Sequence, residues 1–245
     1  MPILPENTSR FLLDPGFRWD GFDAYLFDID GTLIKSRDRV HFSAFHQGIL
    51  QATGLEVSLE GVPLAGNTDT AILREAFRLS GHPEELAEAR QSIILDAMCA
   101  HVEQHRQELD PLVLPGVPEV LAHLRQRGAA LGVATGNLER IGWVKLEKAG
   151  VRGNFTFGGF SDHFSDRNLL VASAAATARQ LAGPDATLCV VGDTPRDIEA
   201  ARHSNLAVIA VATGRYSLDE LATLQPDACV STLAALLAAP DKEAQ

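Results

Sequence analysis

The sequence predicts an α/β fold: a Rossmann-like, mainly parallel sheet with helices on both faces, plus an inserted all-helical cap. Three observations lead there. Short apolar runs, each bounded by turn or polar residues, suit buried strands and are too brief for helices. Helical patterns alternate with the later runs. One long interval after the first run carries helical patterns alone.

Ala24–Ile29 opens the core, and Ala129–Ala134, Phe155–Phe157, Thr187–Val191 and Ala207–Val211 follow as further strands. Between them, Val117–Arg127, Leu138–Lys148, Asn168–Leu181 and Arg196–His203 read as helices, the third through an alanine-rich stretch. Between Ser36 and Leu114 no run reads as a strand. His41–Ala52 places Phe42, Phe45, Ile49 and Leu50 at helical spacing. Thr70–Leu79 follows Asp69 as N-cap and stops at Gly81, and Pro83 opens a longer pattern through Leu86, Ile93, Ile94, Met98 and Val102. Alternation resumes after Pro115-Gly116. The expected division is a core from residues 1–36 and 114–245 with a helical cap over 37–113. Ligands of such sheets bind at the carboxyl ends of the strands, so this cap would hang over the site.

The formal net charge of -11 disfavours non-specific nucleic-acid binding and offers no polybasic stretch to an anionic membrane. A small anionic ligand remains compatible, because a cationic pocket fits inside an acidic protein. No segment approaches the roughly 18 apolar residues of a membrane helix. Met1–Arg10 lacks the basic start and apolar run of a secretory leader. Cys99, Cys189 and Cys229 are widely spaced and form no CxxC pair, and Cys189 reads as a small buried thiol. The expectation is a soluble, reduced, cytoplasmic protein.

Four segments carry chemistry. Phe27-Asp28-Ile29-Asp30-Gly31-Thr32-Leu33 sets two carboxylates where a strand runs out, with Gly31 permitting a tight turn that aims amides at an anion. An acidic turn would explain that segment alone. Val190-Val191-Gly192-Asp193-Thr194-Pro195-Arg196-Asp197 again puts carboxylates at a strand end opening a helix. Strand-end loops gather along one sheet edge, and four carboxylates around one crevice call for a hard divalent cation. Oxygen-only ligation suits Mg²⁺. Asp197 also suits a first-turn position by the helix dipole. Thr135-Gly136-Asn137 offers a hydroxyl and helix-start amides to a phosphate, or serves as an ordinary N-cap. Arg167, before the next helix, is a cation for the same crevice or a solvated surface arginine.

In this order the segments resemble the four-motif signature of haloacid-dehalogenase-like hydrolases. The closer resemblance is to the branch of phosphoglycolate phosphatase and β-phosphoglucomutase, whose helical cap follows the first motif. It spans about Tyr25 to Val211. It implies a Mg²⁺-dependent phosphatase acting on a small phosphorylated metabolite. Asp28 would be the nucleophile forming an aspartyl-phosphate and Asp30 the general acid–base. Thr135, with the amides around Gly31, Thr32, Gly136 and Asn137, would hold the transferring phosphoryl group. The metal would be held by the Asp28 carboxylate, the Asp30 carbonyl and Asp193, with Asp197 supporting that shell. Charge around Asp30 would favour its protonated form for part of the cycle.

The chain departs from the pattern twice. The third motif usually carries Lys, but no Lys lies between Gly150 and Asp241, so Arg167 takes that place by position. The last helix ends in Ser204-Asn205 where Gly is usual, and Asn tolerates the left-handed conformation. In the cap, Ala65-Gly66-Asn67-Thr68-Asp69-Thr70 resembles a substrate-contacting cap loop, with Thr68 and Asp69 as candidates, or simply starts a helix. Lys35, His41 and His46 lie near the hinge, and nothing in the sequence chooses among them. His101 and His105 lack a third ligand and read as solvated. The same motifs fit a phosphosugar mutase. A haloacid dehalogenase usually lacks an acid at the Asp30 position, and a silent phospho-acceptor module would not need a cap.

Overall fold

A computed structural model describes residues 11–13 and 16–238. Residues 1–10, read above as lacking a leader, lie outside the described residues. Along the chain run β1 (Phe11–Leu13), β2 (Ala24–Phe27), β3 (Ile34–Ser36), α1 (Val40–Thr53), α2 (Asp69–Leu79), α3 (Glu84–Gln104) and β4 (Pro111–Val113). They are followed by α4 (Val117–Gln126), β5 (Ala130–Ala134), α5 (Glu139–Lys148), β6 (Phe157–Gly159), α6 (Arg167–Ala182) and β7 (Leu188–Gly192). The chain then completes α7 (Pro195–His203), β8 (Ala207–Val211), α8 (Leu218–Ala222), β9 (Ala228–Val230) and α9 (Ala234–Leu237).

β2 alternates Ala24 and Leu26 with Tyr25 and Phe27, and all four side chains are buried, so both faces of this strand are covered. Tyr25 and Phe27 join the cluster under α4 and α9, whereas Ala24 and Leu26 join the one under α6 and α7. The alanines 174, 175, 178, 200 and 201 on that second face let helix backbones approach the sheet. The strand order is β1-β9-β8-β7-β2-β5-β6, parallel except for the edge strand β1. This is the doubly wound, mainly parallel sheet that the alternation predicts. The chain winds outward to β5 and β6 on one side of β2, then crosses to β7 and beyond on the other. That reversal is where such sheets open a crevice at their carboxyl edge.

Helices α1, α2 and α3 share a hydrophobic cluster of their own, built on Phe45, Ile49, Phe77, Ile94 and Met98. Leu138, Ile141 and Val144, at and after the start of core helix α5, belong to the same cluster. The cap side of the molecule is therefore seated on α5 by apolar packing.

Several boundaries differ from expectation. The N-cap of α2 is Thr68, whose hydroxyl accepts from the Ala71 amide, and Asp69 is already inside the helix. β3 and β4 form a two-stranded antiparallel ribbon where the sequence shows no strand. Its strands have three residues each and pair across the whole interval between them, so no local periodicity announces them. The third core strand lies at Phe157–Gly159 rather than Phe155–Phe157. Its glycines read as a turn in sequence, but a Cβ at Gly159 would stand 2.8 Å from that of Ala174, so α6 demands the small residue. Asn205 takes φ 52°, the left-handed stop expected of it.

Gly48 sets the approach of α1 to α3: an added Cβ would meet Met98 Cγ at 2.7 Å and the Ile94 carbonyl at 2.9 Å. Gly48→Ala should therefore destabilise the protein by about 1–3 kcal/mol through overpacking. A thermal melt checks this, and an unchanged Tm would mean that the seam has slack.

Candidate active site

Strand register assembles the site. Phe27 pairs with Val133 of β5 and Val191 of β7, so Asp28 starts the loop beside Thr135 and Asp193, each two residues past its paired rung. The Asp28 amide still donates to the Val191 carbonyl at 2.9 Å, which pins the nucleophile candidate at the edge of the sheet. Gly31 takes φ 89°, and a Cβ there would stand 2.4 Å from Asp193 Oδ2. Gly214 closes on the same carboxylate from the other side, with its would-be Cβ at 1.7 Å. Asp193 thus occupies a slot that only two glycines leave open. Thr32 Oγ1 donates to Asp193 Oδ1 at 3.3 Å.

Asp28, Asp193 and Asp197 are buried, and a carboxylate oxygen from each lies within 4.8 Å of the others. Burial, then the charges of Asp28 and Asp197, push the Asp193 carboxyl up to about 8. Burial likewise raises Asp28 to about 6, although Arg167 opposes it. Both shifts reflect burial first and the neighbouring carboxylates second. Asp197 is committed elsewhere: one oxygen takes Arg167, and the other takes the Thr194 amide at 3.0 Å and hydroxyl at 2.7 Å. Asp28 and Asp193 are the side chains with oxygens to offer a cation, and Asp197 supports from behind.

Arg167, the first residue of α6, is buried rather than solvated. Its Nη2 stands 3.2 Å from Asp28 Oδ1 and also bonds Asp197. Burial works against its charge, but Asp197 and Asp28 outweigh that and push its pKa up. Its Nε is buried without a partner among the described residues.

Thr135 Oγ1 accepts from the Asn137 amide at 3.3 Å and from Asn137 Nδ2 at 2.7 Å. Its own hydroxyl proton is thereby left to donate. Asn137 Nδ2 also reaches Asp30 Oδ2 at 2.9 Å. The carboxylate of Asp30 turns away from the other three acids and meets Lys145 Nζ at 2.7 Å. Burial works to raise Asp30, but the Lys145 charge and hydrogen bond outweigh it, with smaller help from the Asn137 hydrogen bond. Its carboxyl is held below the ordinary range, against the expectation that negative surroundings would favour its proton.

The cap loop sits directly on these motifs. Gly136 touches it so closely that a Cβ would stand 2.0 Å from the Asn67 carbonyl oxygen, and the Gly136 carbonyl accepts from the Asp69 amide at 2.8 Å. Asp69 lines the cavity, yet its Oδ2 is held by the Leu138 amide at 2.9 Å and by His41 Nε2 at 3.0 Å. The Thr68 hydroxyl is used at the seam, donating to the Ser165 carbonyl at 2.9 Å, and does not line the cavity. Of the two readings open for Thr68, its contacts fit the helix start: its polar atoms serve the N-cap of α2 and the contact with Ser165.

Of the hinge candidates, Lys35 and His41 both line the cavity, and His41 faces Lys145 and Asp69; His46 bonds the Phe42 carbonyl of its own helix at 3.4 Å. His101 and His105 stack at 4.1 Å with no third ligand among the described residues. Lys145 was not singled out from sequence. The signal was present: it falls seven residues after Leu138 and four after Ile141, a charge on an apolar helical stripe.

A cavity of about 460 Å³ joins Asp28, Asp30, Thr135, Asn137, Arg167 and Asp193 to a cap wall of Phe42, Phe45, Leu64 and Ile72. Among the described residues no helix is long and apolar enough to cross a membrane.

A carboxyl whose folded pKa exceeds its unfolded one binds its proton more tightly when folded, so it weakens folding as pH rises from about 4 through the folded value. Chelator-treated protein should therefore lose stability between about pH 5 and 8 more steeply than the Asp193→Asn variant. Equal slopes in urea unfolding would show that Asp193 is not strained by its neighbours.

Comparison with known proteins agrees with this architecture. The sequence model described as haloacid dehalogenase-like hydrolase matches residues 22–205. The chain is 29% identical over 215 residues to a phosphoglycolate phosphatase of Agrobacterium fabrum, covering 86% of this chain and 89% of that one. It is 28% identical over 215 residues to the probable phosphatase IndB of Dickeya dadantii, covering 87% and 91%. Among solved structures, CbbY of Rhodobacter sphaeroides in complex with phosphate has a similar fold, with a TM-score of 0.60 at 21% identity, covering 88% of this chain and 99% of that one. With the family model spanning the sheet edge, all four acids and the cap, the chain belongs to the haloacid dehalogenase-like hydrolase family.

Proposed function

We propose that this hydrolase is a Mg²⁺-dependent phosphatase that cleaves a small phosphate monoester through an aspartyl-phosphate on Asp28. The observation that carries the reading is the buried Asp28 with Arg167 against its Oδ1, at a cavity that also presents Thr135 and Asp193. Similarity to phosphoglycolate phosphatases of Agrobacterium fabrum and Nitrosococcus oceani supports the reading.

Asp28 and Asp193 fit a hard cation, since both are buried, close together and short of positive charge. By the family pattern the Asp30 carbonyl would complete the protein's share, and Asp197 would hold Arg167 and the Thr194 loop behind it. When bound, Mg²⁺ supplies positive charge to the phosphoryl oxygens.

The chain's own groups do the rest. Asp28 attacks phosphorus in line, so one carboxylate oxygen forms a bond to phosphorus as the ester oxygen leaves. Arg167 and the Thr135 hydroxyl stabilise the phosphoryl oxygens. Asp30 hands its proton to the leaving oxygen, then takes one from the water that cleaves the aspartyl-phosphate. The resting preference of Asp30 for its ionised form suits the second step, and the charge of an arriving phosphate favours the proton needed in the first. The cap wall of Phe42, Phe45, Leu64 and Ile72 faces the leaving group and gives room for a body larger than a two-carbon acid. We take residues 37–113 as the cap that sets this choice, within a protein whose expected location is the cytoplasm.

Asp28→Asn should abolish phosphate release across a metabolite panel while keeping the Tm, and excess chelator should silence the wild type until Mg²⁺ is restored. Turnover by a contamination-free Asp28→Asn protein would rule out the covalent route. Arg167→Ala should lower kcat by roughly a hundredfold or more, on the scale of one oxyanion donor. Arg167→Lys should recover part of that through charge without the fork. Near-normal kinetics for Arg167→Ala would remove it from the phosphoryl site.

A further inference from the structure

One buried cation has no part in that scheme. Lys145 is 3% exposed, and its Nζ donates to Asp30 Oδ2 at 2.7 Å, Asn137 Oδ1 at 2.8 Å and His41 Nδ1 at 3.0 Å. An ammonium has three donors, and here each has an acceptor. Lys145 has none to spare for a phosphate, which Arg167 is better placed to meet beside Asp28.

The arrangement immobilises Asp30. Its Oδ2 takes Lys145 and Asn137, and its Oδ1 takes the Ser36 hydroxyl at 3.2 Å. A carboxylate on a loop at the mouth of a cavity would otherwise turn about its side-chain bonds. His41 accepts through Nδ1, so its proton lies on Nε2 and is donated to Asp69. Asp69 in turn is tied to the core by the Leu138 amide. The shell around Lys145 is thus complete only with α1 and α2 of the cap side seated on α5.

We propose that Lys145 is a positioning residue for the proton-transferring carboxyl Asp30, with His41 completing its shell from the cap side. This rests on the phosphatase reading above. In the step concerned, the Asp28 oxygen–phosphorus bond forms, the phosphorus–ester oxygen bond breaks, and the proton of the Asp30 carboxyl passes to the departing oxygen. An alkoxide cannot leave without that proton, whereas 4-nitrophenolate can. A residue acting through Asp30 therefore reads out as leaving-group dependence, which general damage to the fold does not produce.

The test compares kcat/KM, which covers the steps through alcohol release, for 4-nitrophenyl phosphate and for the most rapidly cleaved alkyl phosphate of a metabolite panel, both with Mg²⁺. Lys145→Met should lose at least about tenfold more on the alkyl ester than on the aryl ester, part of the roughly hundredfold scale of general acid catalysis. Equal losses on both esters, or none, would overturn the proposal. Because Lys145→Met leaves Asp30 without its cation, the Asp30→Asn/Lys145→Met double variant, which removes both charges, is compared with Asp30→Asn alone on the aryl ester. Acting through Asp30, Lys145 should add no further loss there, and an additive loss would overturn the proposal even if the single variant does not fold. A wild type that cleaves neither ester would instead refute the phosphatase reading itself, and this inference with it.

Discussion

Crowding of negative charge is the constraint on which the rest of the structure depends. Three buried carboxylates, Asp28, Asp193 and Asp197, bring oxygens within 4.8 Å of one another. Taking even one such charge out of water costs several kcal/mol unless it is paired. The sheet register that gathers Asp28 and Asp193 does not compensate them; it creates the problem. The slot between Gly31 and Gly214 holds Asp193 beside Asp28 and Asp197. Arg167 offsets part of it, and the Thr194 capping box absorbs one oxygen of Asp197. What is left uncompensated lies on Asp28 and Asp193, the two groups displaced upward in pKa. An arrangement retained against its own repulsion suits a site that receives a cation.

Two carboxylates two residues apart on one loop are driven in opposite directions. Burial raises Asp28, and Lys145 holds Asp30 down. Groups with such divided environments are the ones to which an enzyme gives different tasks. The two acids face different cations: Arg167 stands against Asp28, and Lys145 stands against Asp30. That division also explains why the site needs its third-motif cation to be firm. A guanidinium spans Asp28, Asp197 and two backbone carbonyls at once, where an ammonium could satisfy fewer.

The core was legible because its signals are local. Runs such as Ala207–Val211 are continuous apolar segments, and Asn205 announces its left-handed stop from the end of α7. β3, β4 and β9 were not legible, since three-residue strands carry no periodicity and gain their partners from distant parts of the chain. The same difference divides the site. Asp28, Asp30, Asp193 and Asp197 stand in strand-end motifs that can be read in place. Thr68 stayed open between two readings because a hydroxyl before a helix looks the same whether it faces a cavity or a seam. Lys145 was overlooked because its partners, Asp30, His41 and Asn137, come from three separate segments, and its sequence mark is only a charge on the stripe of Leu138 and Ile141.

That stripe joins the packing to the chemistry. Leu138, Ile141 and Val144 bury themselves with the side chains of α1, α2 and α3, so apolar area holds the cap side against α5. Lys145 follows Val144 directly and reaches His41 of α1 from the same helix. The Leu138 amide, from the same start of α5, fixes Asp69 of α2. Hydrophobic contact and polar shell therefore meet along the same seam. Neither alone would suffice: apolar packing is non-directional and tolerates sliding, whereas hydrogen bonds to a buried ammonium are directional and do not. The packing supplies the free energy of seating, and the directional polar atoms set its register.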